Sequence, residues 1–68
     1  MIFLIFEKPD GLRVSIDCDS IISVDENFDS VIINTITDAH EVINDYEDIL
    51  NEIIKYRSNS DVITFSRN

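Results

Sequence analysis

At Asn44 the hydrophobic period of this chain changes, and the change limits what the chain can fold into. From there on Tyr46, Ile49, Leu50, Ile53 and Ile54 fall at i, i+3, i+4, i+7 and i+8, the spacing of one helical face. Upstream the period is two. Leu12, Val14 and Ile16 alternate with Arg13, Ser15 and Asp17, which gives a strand one buried and one wet side. Strands followed by a helix, without the strand-helix-strand alternation of parallel sheets, place the chain in the α+β class.

Local signals set the expected boundaries. The apolar run Ile2 to Glu7 ends at Pro9-Asp10-Gly11, a tight-turn sequence in which glycine supplies a positive φ, so the first two strands form a hairpin. Arg13 is the outward charge of the second strand. After the polar segment Asp17-Cys18-Asp19-Ser20, a third strand runs from Ile21 to Asp25 and Glu26-Asn27-Phe28-Asp29 turns the chain. A fourth strand spans Val31 to Thr37, and Asp38-Ala39 forms a two-residue loop into a short strand around Glu41, Val42 and Ile43. The helix is expected from Asp45 to Arg57, with Asn44 or Asp45 as N-cap, acids in its first turn, and Lys55 and Arg57 in its last. Asp61 to Ser66, with Val62, Ile63 and Phe65, reads as a final strand. The expected fold is a single domain over residues 1–68: a small antiparallel β-sheet packed on one amphipathic helix in the C-terminal half, followed by a short final strand.

A chain of 68 residues buries only about 60% of the surface its unfolded form exposes, and its core alone rarely supplies more than roughly 3 to 5 kcal/mol. Cys18 is the only cysteine, so no internal disulfide reinforces that core. Oligomerisation is the remaining route, and a homodimer through the final strand or a sheet edge is expected. The longest apolar run, Ile2 to Phe6, has no basic leader and is too short to span a bilayer, so the chain reads as soluble and cytoplasmic.

Charge carries the functional signal. Between Arg13 and Lys55 there is no lysine or arginine, yet there are eleven carboxylates, and the net charge of the whole chain is −9. Self-repulsion of this kind destabilises a small domain, so a field retained at that cost points to use in recognition. Asp45, Asp48 and Glu52 lie at i, i+3 and i+7 along the helix, with Glu47 beside them and Glu41 just before. Successive members of such a row are about 5 to 6 Å apart at Cβ, comparable to phosphates along a nucleic-acid strand. Ordinary solvated helix faces mix glutamate with lysine at i, i+4, and this one forgoes that pairing. Asp25, Glu26, Asp29 and Asp38 extend the candidate surface through the turns.

Other chemistries find little support. Direct nucleic-acid binding needs lysine and arginine at phosphates, and the middle of this chain has the wrong sign. Asp25 to Ser30 places oxygen ligands at positions 1, 3 and 5 of a calcium loop, but Ser30 stands where glycine is required and Ile36 where a bidentate glutamate belongs. His40 is the only histidine and Cys18 has no cysteine neighbour, so neither a tetrahedral metal site nor a defined nucleophile and base is assembled. The reading is a non-enzyme without cofactor or metal, whose partner is a basic protein.

A small, strongly acidic single domain with a carboxylate-lined helix resembles the DNA-mimic inhibitors that bacteriophages make against host proteins, and in character the inhibitors of the nucleoid protein HU. The likeness covers residues 17 to 52 and rests on charge. It implies a dimer that occupies the DNA-binding surface of its target in the host cytoplasm and competes with DNA. In layout, Ile16 to Arg57 is also similar to the small motility proteins of the FlbD type, with Asp38-Ala39-His40 replacing a Gly-Lys-like turn. That similarity implies an adaptor or regulatory role exercised through an apolar surface.

Overall fold

The computed structural model describes residues 1–57. It has two antiparallel sheets and one helix, an α+β arrangement. Strands β1 (Phe3–Glu7) and β2 (Arg13–Asp17) form a hairpin, with Leu4 opposite Ile16 and Phe6 opposite Val14. Its loop requires glycine: Gly11 has φ +88°, its N–H donates to the carbonyl of Lys8 at 3.0 Å, and Leu12 N–H is held by the Asp10 carboxylate at 2.9 Å. Leu12 itself, expected on the buried side, is 63% exposed because it belongs to the loop and precedes the strand.

A 3-10 turn at Cys18–Ser20 separates the two sheets, capped by the Asp17 carboxylate accepting from Asp19 N–H at 3.1 Å. The chain then enters β3 (Ile21–Glu26), β4 (Val31–Thr35) and β5 (Ala39–Val42), in which β4 is central. A bulge between Ile21 and Ser23 breaks the β3–β4 register and leaves Ile22 exposed. The strands form two sheets where one was expected, β1-β2 and β3-β4-β5. Two further expectations are corrected here. The fourth strand stops at Thr35, because Thr35 N–H and Oγ1 both reach the carbonyl of Asp38 and Asp38 N–H returns to Thr35 Oγ1 at 3.0 Å. These bonds make Ile36-Thr37-Asp38 the loop and put Ala39 and His40, read as loop residues, in β5.

Helix α1 (Tyr46–Tyr56) begins where the period changes. Asp45 is its N-cap, with the carboxylate accepting from the N–H groups of Glu47 and Asp48 at 3.1 and 3.3 Å. Ile49 and Ile53 are buried in the core that both sheets share, Tyr46 and Leu50 are half-buried, and Ile54 is 43% exposed. The core joins Leu4, Phe6 and Ile16 of the hairpin to Ile21, Val31, Ile33 and Val42 of the second sheet, with Cys18 and the two helical isoleucines between them. Backbone bonds stitch the sheets together: Ile43 N–H donates to the carbonyl of Glu7 at 2.9 Å, and Glu7 N–H donates to the Asn44 side chain at 2.8 Å. The expected final strand, Asp61 to Ser66, lies outside the described residues.

Candidate recognition surface

The inner face of the second sheet is fixed by Ile33, which is fully buried and lies between Val24 and His40 in the cross-strand register. Alternation then turns the next row outward, where Ile32 lies between Asp25 and Glu41. With adjacent strands about 4.8 Å apart, the two carboxylates straddle Ile32 at roughly 10 Å. Neutral donors hold both: Asn34 Nδ2 donates to Asp25 at 2.9 Å and Ser30 Oγ to Glu41 at 2.8 Å. These bonds fix the carboxylates in place without cancelling their charge.

At one end of this sheet the turn Asn27 to Ser30 is closed by Asn27 N–H donating to the Ser30 carbonyl at 2.9 Å. Phe28 stands at its tip, fully exposed. One shallow depression beside it is lined by Glu26, Asp29 and Glu41, and another by Glu26, Asp29 and Asp45 together with Tyr46. Four of the expected acids thus line the two depressions beside Phe28, Glu26, Asp29 and Glu41 in one and Glu26, Asp29 and Asp45 in the other, while Asp25 and Glu41 lie on the outer sheet face. Phe28 is the residue that sequence reasoning missed. Its signal was present in a large aromatic placed inside a polar turn, where no core can receive it.

The helix contributes less uniformly than its spacing suggested. Asp48 and Glu52, at i and i+4, share one exposed flank, which Lys55 joins three residues beyond Glu52. Glu47 lies about 100° around the helix from Asp48 and does not extend that flank. Asp45 uses one carboxylate oxygen as the cap. Asp38 sits in the β4–β5 loop, at the opposite end of β4 from the Phe28 turn. The nine expected residues therefore form a main group at one end of the second sheet, a helical pair at Asp48 and Glu52, and two outliers, Glu47 and Asp38.

The chemistry of this surface is electrostatic. Lys8 pairs with Asp10 at 3.9 Å, and both line a shallow depression with Glu41. Among the described residues no three His, Cys, Asp or Glu side chains are grouped to hold a metal ion. Asp25 belongs to β3 and bonds Asn34, so the calcium-loop spacing is not realised as a wrapped loop. Cys18 is 1% exposed, its Sγ lies 3.8 Å from the carbonyl of Ile53, and burial first, then the Asp19 charge, pushes its thiol pKa up. A thiol so held is a poor nucleophile. No helix among the described residues is long and apolar enough to cross a membrane.

The fold and surface together define a class: an acidic, two-sheet α+β domain with an aromatic tip set among carboxylates. Comparison with protein-family models, curated proteins and solved structures finds no match.

Proposed function

We propose that this chain is a phage-type DNA-mimic inhibitor: it binds the DNA-binding surface of a basic host protein, foremost the nucleoid protein HU, in the bacterial cytoplasm and competes with DNA. The observation that carries this reading is that Glu26, Asp29, Glu41 and Asp45 line the two depressions beside Phe28, in a stretch without lysine or arginine from Val14 to Ile54. A groove evolved to hold phosphates attracts such a surface over long range, giving fast and salt-sensitive association. Phe28 adds what charge alone lacks, an exposed aromatic that gains by burial in a partner.

The test is binding of HU-type protein as a function of salt. Affinity should fall by about tenfold or more between roughly 50 and 200 mM salt, the order expected when several phosphate-like contacts are screened. Reversing Asp48 and Glu52 to lysine, or neutralising Glu26, Asp29 and Glu41 together as amides, should weaken binding by a similar factor while circular dichroism stays unchanged. Salt-insensitive binding counts against mimicry and favours the second reading, an adaptor held through apolar contacts. The exposed side chains of Phe3, Ile5 and Leu12 on the hairpin support that alternative.

A further inference from the structure

The ladder of the hairpin shows which backbone groups of β2 face away from β1. Lys8 N–H donates to the carbonyl of Leu12 and Cys18 N–H to that of Ile2, so the even-numbered residues of β2 direct their backbone groups toward β1. The odd residues Arg13, Ser15 and Asp17 therefore direct theirs away from β1. Among the described residues none of their N–H groups meets a backbone acceptor, and only the Asp17 carbonyl is engaged, by Ser20 Oγ at 2.8 Å. An edge of this length, open among the described residues, is a template for another strand.

The side chains select the strand it fits. β2 reads Arg-Val-Ser-Ile-Asp, the only strand among the described residues that carries charges of both signs. Paired antiparallel with a second copy of itself about Ser15, it sets Arg13 opposite the partner's Asp17 and Val14 opposite the partner's Ile16, twice over. The odd residues then face one another as hydrogen-bonded pairs, which the ladder parity demands. A shift by two residues in register leaves the outer pairs beyond the strand ends. Other edges fit themselves poorly. β3 carries no cation to set opposite Asp25 or Glu26, and the Glu7 end of β1 is already occupied by Ile43 and Asn44. Arg13 is also exposed; it stands opposite Glu7 across the hairpin, and no carboxylate lies within 4 Å of it among the described residues.

We infer that β2 is a self-association edge: two copies join antiparallel through Arg13–Asp17 into a four-stranded β1-β2-β2-β1 sheet centred on Ser15. The partner is a second copy of this chain. This inference stands independently of what the acidic surface binds.

The test is oxidative cross-linking of Ser15→Cys in the full chain. At a hydrogen-bonded antiparallel position on the dyad the two Cα atoms are about 5.5 Å apart, within disulfide range, whereas two copies of Arg13→Cys are about 14 Å apart. Cys18 is buried and does not compete. Ser15→Cys should run as a dimer on non-reducing gels and Arg13→Cys should not. A monomeric Ser15→Cys, or equally fast linking of Arg13→Cys, overturns the inference. Sedimentation equilibrium gives a second readout: Arg13→Asp should weaken self-association about tenfold or more by facing the partner's Asp17. Adding Asp17→Asn, which keeps the cap on the 3-10 turn, should recover most of that loss. Absence of recovery in a folded double variant contradicts the pairing.

Discussion

The β1–β2 hairpin and the β3–β4–β5 sheet bury their inner faces in one core by the same alternation, yet their outer faces differ in kind. The hairpin presents Phe3 and Ile5, at 55% and 59% exposure, with Arg13 beside them. The second sheet presents Asp25 and Glu41 around a half-buried Ile32, with Asn34 and Ser30 fixing the carboxylates. Period decides which residues face water; it does not decide what is placed there. In the hairpin, cation and apolar surface coexist, whereas the second sheet and the first turns of the helix carry negative charge alone. The first half is suited to contact through backbone and apolar groups, the second to attracting a cationic surface at a distance.

The largest effect that tests this division lies in the shared core. Ile49 is fully buried, and its replacement by alanine should cost about 2 to 5 kcal/mol, on the order of the stability a domain this size has, so thermal unfolding should lose its cooperative transition. Phe3→Ala or Ile5→Ala, on the hairpin's wet face, should change stability by less than about 0.5 kcal/mol in monomeric chain. A large loss at Phe3 would mean that the hairpin's outer face is covered and the contrast is false.

Gly11→Ala comes next. No atom lies within 4 Å of the added methyl group, so the effect is that of forcing alanine to φ +88°, about 1 to 2 kcal/mol read in denaturant melts. Asp45 sharpens the comparison from the acidic side, because it is both a cap and a candidate contact. Asp45→Ala should cost about 1 kcal/mol, while Asp45→Asn keeps the cap, so any loss of partner binding in the asparagine variant belongs to charge. The smallest effect is at Cys18. Its folded-state pKa is raised, so the protonated thiol favours the native state; that contribution is fully present below the unfolded thiol pKa and is lost as pH rises through the raised folded value. Alkaline melts of the wild type should therefore fall more steeply with pH than those of Cys18→Ala.

Much of the fold was legible because it follows from period and caps. The Asp45 cap, the inward Ile49 and Ile53, and the Gly11 turn are each written within a few residues of sequence. The division into two sheets was not, because strand period does not say whether β2 and β3 pair; the 3-10 turn that Asp17 caps lies between them. The β4–β5 loop was misplaced by one to two residues because the Thr35–Asp38 bonds mimic strand ends without any glycine to signal them. Within the candidate surface, residue types were readable and their grouping was not. Register alone brings Asp25 and Glu41 to one face, and helical angle alone separates Glu47 from Asp48.

The most direct measurement is displacement of a fluorescently labelled DNA duplex from purified HU by this chain, followed by anisotropy at low salt and repeated at high salt. DNA should be released at close to stoichiometric addition, and the release should weaken as salt rises. DNA that stays bound in the presence of excess chain, with no complex formed between the two proteins at low salt, contradicts the proposed mimicry of DNA at HU.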